Sequence, residues 1–106
     1  MTYDEGLANR IRSALRGRDD VVEKKMFGGL TFMVDGHMAC GVLGQDMIVK
    51  VGKDRHAEAL AEPHTRVMDF TGRPSSGMVY VEPEGTATDA GLEHWVGIAV
   101  SVAESA

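Results

Sequence analysis

The stretch KKMFGGLTFMVDGHMACGVL, residues 24–43, holds most of the apolar residues that favour β-strands in this chain. Leu30, Phe32 and Val34 alternate there with Thr31 and Met33. Side chains point alternately to the two faces of a strand, so this spacing puts the three larger apolar residues on one face. The pattern predicts a β-strand whose opposite face is only partly polar, which suggests a second, partly buried surface.

Two pairs of residues divide this stretch into strands. Gly28-Gly29 predicts a bulge or a turn. Asp35-Gly36 fits a two-residue hairpin turn, in which both central residues need a positive φ. The return strand would continue the apolar face through Met38, Cys40 and Val42. Because hairpin connections are short, sequential antiparallel pairing is the simplest arrangement, and the stretch predicts a β-meander.

A helix is predicted before the meander. Thr2 and Glu5 have the spacing of a capping box, in which each side chain satisfies a free backbone N–H. Apolar residues then recur at every fourth position, at Leu7, Ile11 and Leu15. Gly17 is a candidate to end the helix, because glycine adopts the left-handed conformation without steric cost.

Further elements follow the meander. Asp54 would cap a short helix through Ala61, the segment 66–70 is a candidate strand, and 78–81 is a clear one. Thr88 or Asp89 would cap a final helix with apolar residues at helical spacing: Leu92, Trp95, Val96, Ala99 and Val102. We therefore predict a two-layer α+β fold in the order α-β(3–4)-α-β(1–2)-α. The antiparallel sheet would carry the helices on one face.

Length and charge restrict the class of protein. The chain has 106 residues, which predicts one domain over 1–106 with its own core. The net charge of −5 argues against direct binding to nucleic acid or to an anionic membrane. No signal peptide or membrane-spanning run is visible in the sequence, so the expected location is the cytoplasm.

Basic residues are concentrated near the start of the chain. Six of the eleven fall between Arg10 and Lys25, and none follows Arg73. Solvated helix faces of opposite sign explain this distribution better than a basic patch, because three acidic residues lie among the basic ones and Asp4 and Glu5 shortly precede them.

Cys40 is the only cysteine, and His37 is the nearest candidate partner for thiol or metal chemistry. Residues of odd separation point to opposite faces of a regular strand, so these two meet only if the strand contains a bulge. Cys40 is therefore expected to be buried and unreactive. His56, His64 and His94 lack close ligand spacing. We predict no metal, no cofactor and no catalytic residue.

The segment 64–77 suggests one alternative. It contains Arg66 and Arg73 in a region without clear periodicity. Two guanidinium groups in a loop could hold a carboxylate or a phosphate through paired hydrogen bonds. The alternative is therefore a small-molecule or anion-binding domain, or an uncharacterised enzyme, that uses these two arginines.

The ordered motifs of the chain resemble the TfoX/Sxy N-terminal domain family. The similarity begins at Lys25-Met26-Phe27-Gly28-Gly29 and includes Asp35-Gly36. It continues with Met68-Asp69-Phe70, the strand containing Tyr80, and the ending Leu92…Trp95-Val96. The residues that carry the family motif are Met26, Phe27, Gly28, Gly29, Asp35, Gly36, Phe70, Tyr80 and Trp95.

The resemblance implies a fold similar to type III secretion chaperones and a bacterial origin. The founding members of the family regulate the transcription of competence genes, and no catalytic residues are carried over from them. We therefore expect a stand-alone, non-enzymatic interaction module, related to transcription, that binds a protein partner. Homodimerisation through an apolar sheet face or edge is also expected.

Overall fold

In the computed structural model, the described residues are 3–26, 28–67 and 77–105. Within them the chain forms three α-helices and a six-stranded antiparallel sheet with the order β1-β2-β3-β4-β6-β5. The bounds are α1 (Glu5–Ala14), β1 (Val21–Met26), β2 (Gly29–Val34), β3 (His37–Leu43), β4 (Asp46–Lys50), α2 (His56–Leu60), β5 (Thr65–Val67), β6 (Met78–Val81) and α3 (Asp89–Ser105). Single 3₁₀ turns cover Lys53–Arg55 and Pro83–Gly85. The predicted α+β class and element order are confirmed.

Strands β1 to β4 form the predicted meander. Asp35 and Gly36 connect β2 to β3 with φ values of 52° and 79°, as the hairpin prediction requires. Gly28 has a φ of 79° in the turn between β1 and β2. The sheet then departs from chain order, because β6 pairs with β4 and separates it from β5.

One core lies between the sheet and the helices. Phe32, Val49 and Val79 are fully buried on the sheet side, and they pack in one cluster with Ile11 of α1 and Trp95 of α3. The helices therefore lie on one face of the sheet, as predicted, and we call this face the helical face. Burying an apolar side chain of this size stabilises the fold by roughly 1.5–3 kcal/mol.

The structure corrects the predicted helix caps. Asp4 caps α1, since its Oδ1 accepts hydrogen bonds from the N–H groups of Gly6 at 2.9 Å and Leu7 at 3.2 Å. Thr2 lies outside the described residues. Asp54 does not cap α2, because it lies inside the 3₁₀ turn that precedes this helix.

The other two helix ends fit their predictions more closely. Thr88 caps α3, since its Oγ1 accepts from the Gly91 N–H at 3.0 Å. Gly17 has the expected positive φ of 93°, although α1 ends at Ala14 and Leu15 is its C-cap.

Strand β3 contains a bulge that the alternating pattern did not predict. Phe32 pairs with Cys40, whereas the next residue, Met33, pairs with Met38. Ala39 is thus the extra residue, and it is fully buried in the core cluster. The prediction that Met38 shares a face with Cys40 and Val42 is wrong, because the bulge reverses the alternation between them.

None of the helices in the described part of the chain has the length and apolar character needed to cross a membrane.

Candidate functional site

The face of the sheet opposite the helical face is the first candidate surface, and we call it the second face. Its central row crosses all six strands in register: Lys24, Thr31, Gly41, Ile48, Tyr80 and Arg66. Thr31, Ile48 and Tyr80 are only 3%, 5% and 6% exposed, although none of them belongs to the core cluster on the helical face.

Gly41 shows how closely two strands approach each other in this row. A Cβ atom there would lie 2.5 Å from the Leu30 carbonyl oxygen, closer than real Cβ contacts allow. A Cβ atom on Gly29 would likewise overlap the carbonyl oxygen of Val42. Both glycines are therefore needed for the spacing of β2 and β3. The sequence motif included Gly29 and missed Gly41, which carries no turn signal.

Arg66 lies at one end of the row and joins three strands. Its guanidinium carbon lies 4.3 Å from the centre of the Tyr80 ring, a cation–π arrangement. The guanidinium also forms an ion pair with Asp46, and its Nε lies 3.7 Å from Oε2 of Glu82. These contacts tie the short edge strand β5 to β6 and to β4.

This geometry bears on the predicted anion site. Arg66 lies within β5 rather than in a loop, and two carboxylates face its guanidinium. Arg73 lies outside the described residues. The described part of the predicted site therefore has a net negative charge. This charge opposes the binding of an anion to Arg66.

A row of exposed apolar side chains forms the second candidate surface. Val22 pairs with Met33, and Met33 pairs with Met38, so the three lie side by side across β1, β2 and β3 on the second face. Val22 is 54% exposed, and both methionines are partly exposed. We call these three residues the apolar stripe. The bulge in β3 completes it, because it moves Met38 out of the core face.

Cys40 and His37 do not form a reactive pair. The expectation that they point to opposite faces of β3 is wrong, because the bulge places both residues on the helical face. Cys40, however, is fully buried, and this burial raises the pKa of its thiol to about 12. His37 is exposed at the end of the strand. A thiol in this environment stays protonated at neutral pH and is shielded from reagents.

The remaining histidines are dispersed. His94 on α3 contacts Glu62 through Nε2 at 3.0 Å, and its ring meets the Trp95 ring edge-on at 4.9 Å. The Nε2 atom of His56 is buried and has no hydrogen-bond partner among the residues that the structure describes. Over residues 3–26, 28–67 and 77–105, no three His, Cys, Asp or Glu side chains are grouped so that they could hold a metal ion.

Half of the six basic residues near the start of the chain form ion pairs, namely Arg10, Arg12 and Arg18. Arg12 binds Glu23 through two hydrogen bonds of 2.8 Å, joining α1 to β1 and holding the Glu23 pKa below its usual range. Arg18 binds Asp20 at 2.9 Å and Glu104 at 3.0 Å, and its hydrogen bond lowers the Asp20 pKa. These pairs agree with solvated, mixed-charge helix faces.

The motif residues within the described part of the chain are mainly structural. Gly28, Asp35 and Gly36 form turns, and Trp95 is 3% exposed in the core. Tyr80 lies under Arg66 on the second face. For Met26 the structure describes the backbone only, at the end of β1, while Phe27 and Phe70 lie outside the described residues.

The fold and these surfaces define a small α+β domain with one helix-covered sheet face. The chain matches the family model described as the TfoX N-terminal domain over residues 13–103. It belongs to the TfoX N-terminal domain family, which makes it a domain of the competence-regulator type. No curated protein and no solved structure matches the chain.

Proposed function

We propose that this chain is a cytoplasmic, non-enzymatic regulatory module that acts on the transcription of competence genes through protein contacts. Family membership over residues 13–103 supports the regulatory role. The observation that supports the mode of action is the apolar stripe of Val22, Met33 and Met38, which lie in register on the sheet face opposite the described helices. Apolar rows of this kind are typical of protein interfaces.

The occupant that we propose for the apolar stripe is the same stripe of a second copy. A two-fold interface uses one patch twice, and uncharged side chains can face their own copies without electrostatic cost. The adjacent edge of β1 suits this role less well, because Lys24 and Lys25 protect it against strand addition. The homodimer would then present the surface that a regulatory partner meets.

Val22→Lys tests the dimer, with Val67→Lys as a matched control. Both valines lie on edge strands and are exposed, at 54% and 37%, but Val67 lies on the helical side of the opposite edge. Light scattering after size-exclusion chromatography should show a dimer for the wild type and Val67→Lys and a monomer for Val22→Lys. A wild-type monomer at millimolar concentration would contradict the proposed dimer.

Complementation of a gene deletion in the native host tests the regulatory role. We expect deletion to change the transcript levels of DNA-uptake genes, and the wild type and Val67→Lys to restore them. Val22→Lys should fail to restore them at equal protein level. Unchanged transcripts in the deletion strain would overturn the regulatory role, whereas rescue by a monomeric Val22→Lys would overturn only the link to the dimer.

The proposed action does not include direct DNA binding. The net charge of −5 opposes the counterion release that drives such binding. In a mobility-shift assay at low salt, we expect no shift with duplex DNA. A shift that weakens steeply with added salt would show direct contact with phosphates and would contradict this part of the proposal.

A further inference from the structure

A cleft of about 420 Å³ lies where the end of β4 meets the C-terminal part of α3. Lys50 ends β4, and Gly52 turns the chain with a φ of 80° into the 3₁₀ turn. We call this the cationic cleft, and its charged or hydroxyl-bearing lining residues are Lys50, Lys53, Asp54, Arg55, Ser101 and Ser105.

The positive charge of this cleft is unusual in the molecule. The chain carries a net charge of −5, whereas three cations and one carboxylate line the cleft. Arg10, Arg12, Arg18 and Arg66 all form ion pairs with acidic side chains. In the part of the chain that the structure describes, the cations without an ion pair are Arg16, Lys24, Lys25, Lys50, Lys53 and Arg55. Three of these residues line the cleft. Lys53 and Arg55 do so from the 3₁₀ turn, whereas Lys50 lies on the same side of β4 as Ile48, so its side chain starts from the second face.

Two serines of α3 line the same cleft, and the Ser101 hydroxyl is the donor that no hydrogen bond within the described residues occupies. Ser101 is exposed, and Ser105 donates its hydroxyl to the Ser101 carbonyl at 2.9 Å. Val102 adds an apolar section to the same wall. The cleft thus combines ammonium, guanidinium and hydroxyl donors with a small apolar surface, and its volume lies in the range of small-molecule sites.

We propose that the cationic cleft binds the phosphate monoester group of a small molecule. A phosphate monoester is close to a dianion at neutral pH and offers three strong acceptor oxygens. Lys53 and Arg55 are exposed and form no ion pair with a described carboxylate, so they can donate charge-assisted hydrogen bonds to it. This assignment is independent of the apolar stripe, which lies on β1, β2 and β3.

Calorimetric titration with adenosine monophosphate, inorganic phosphate and adenosine tests the proposal. We expect the two phosphate-containing probes to bind and adenosine not to bind. The variant Lys50→Gln/Lys53→Gln/Arg55→Gln should weaken the binding of adenosine monophosphate by at least about tenfold, since each hydrogen bond to a charged group contributes to affinity on that scale. Failure of both phosphate probes to bind at millimolar concentration would overturn the proposal.

Arg16→Gln/Lys24→Gln/Lys25→Gln is the matched control for charge. It removes two lysines and one arginine, as the cleft variant does, and all three are exposed and unpaired among the described residues. We expect this control to bind adenosine monophosphate within about twofold of the wild type, since its charges lie outside the cleft. If both triple variants weakened the binding of adenosine monophosphate equally, the effect would be one of general charge and would contradict the proposed site.

A single substitution and a different probe complete the test. Ser101→Glu places a carboxylate on the cleft wall at an exposed helix position and should also abolish binding, while leaving the thermal unfolding temperature near that of the wild type. A DNA oligonucleotide without terminal phosphates carries only monoanionic diesters, and we expect it to bind more weakly than adenosine monophosphate. Tighter binding of the oligonucleotide would identify a nucleic-acid backbone as the ligand and overturn the small-molecule assignment.

Discussion

The two faces of the sheet are built from the same alternating strands but carry different kinds of residue. On the helical face, Phe32, Val49 and Val79 are fully buried against the helices. On the second face, buried Thr31, Ile48 and Tyr80 lie in one row, and the apolar stripe lies partly exposed beside it. We infer that the helical face supplies most of the stability, whereas the second face leaves apolar side chains available for contacts.

Phe32→Ala should have the largest effect on stability, because it opens a cavity in the centre of the helical face. Phe32 is fully buried and is the largest of the fully buried side chains. Such truncations typically cost about 3–5 kcal/mol in the free energy of unfolding. Chemical denaturation with urea measures the cost. A loss below about 1 kcal/mol would mean that the helices do not hold this face as closely as the structure shows.

Gly41→Ala should destabilise the second face by about 1–3 kcal/mol, the usual cost of overpacking. The added methyl group would meet the Leu30 carbonyl oxygen, which belongs to backbone and cannot move aside easily. Gly97→Ala is the matched control, because the space around Gly97 on α3 is open. There the same change should stabilise the helix by up to about 1 kcal/mol. Urea denaturation of both variants should give effects of opposite sign.

Met33→Ala tests the comparison between the faces most directly. Met33 is adjacent to Phe32 in the chain but belongs to the apolar stripe on the second face. Because Met33 is already partly exposed, we expect its truncation to cost less than about 1 kcal/mol in a monomer. Urea denaturation at low and high protein concentration separates this cost from dimer contacts. A cost equal to that of Phe32→Ala would remove the distinction between the faces.

Glu23→Gln should have the smallest effect, and it should depend on pH. Arg12 lowers the Glu23 pKa in the folded state, so the pair stabilises the fold above the unfolded pKa of about 4.3. This contribution is lost as the pH falls through the lower, folded pKa. Both side chains are 36% exposed, so we expect at most about 1 kcal/mol at pH 7.

Urea denaturation of the wild type and Glu23→Gln at pH 7 and pH 2.5 measures the pH dependence. The two proteins should differ at the higher pH and converge at the lower one. A difference that is unchanged at pH 2.5 would exclude the ion pair as its cause.

Local signals in the sequence predict much of the fold. The Asp35-Gly36 turn is predictable because few residue types other than these adopt the positive φ that such a turn requires. Helix α3 is predictable from its helical spacing of apolar residues and from the Thr88 cap. The bulge at Ala39 carries no comparable signal, because alanine fits a regular strand equally well. The apolar stripe depends on this bulge, which is why the alternating pattern placed Met38 on the wrong face.

The charged sites depend on contacts that sequence spacing does not show. Arg66 meets Asp46 only because β6 separates β4 from β5 and the three strands align in register. The cationic cleft likewise joins residues 50–55 to residues 101–105 through the packing of α3. Charge counts along the chain could identify these residues as charged but could not indicate which of them converge.

The strand order also determines how the chain can fold during synthesis. Strands β1 to β4 pair with their neighbours in sequence, so they can form from hairpins as residues 21–50 leave the ribosome. Strand β5 emerges before β6, which is its partner in the described sheet. Strand β6 also pairs with β4, which lies about thirty residues earlier in the chain. Helix α3 is made after every described strand, so the meander lacks this cover until residues 89–105 have been synthesised. The nascent sheet thus exposes Phe32 and its neighbours during synthesis, a period in which chaperone binding would protect it from aggregation.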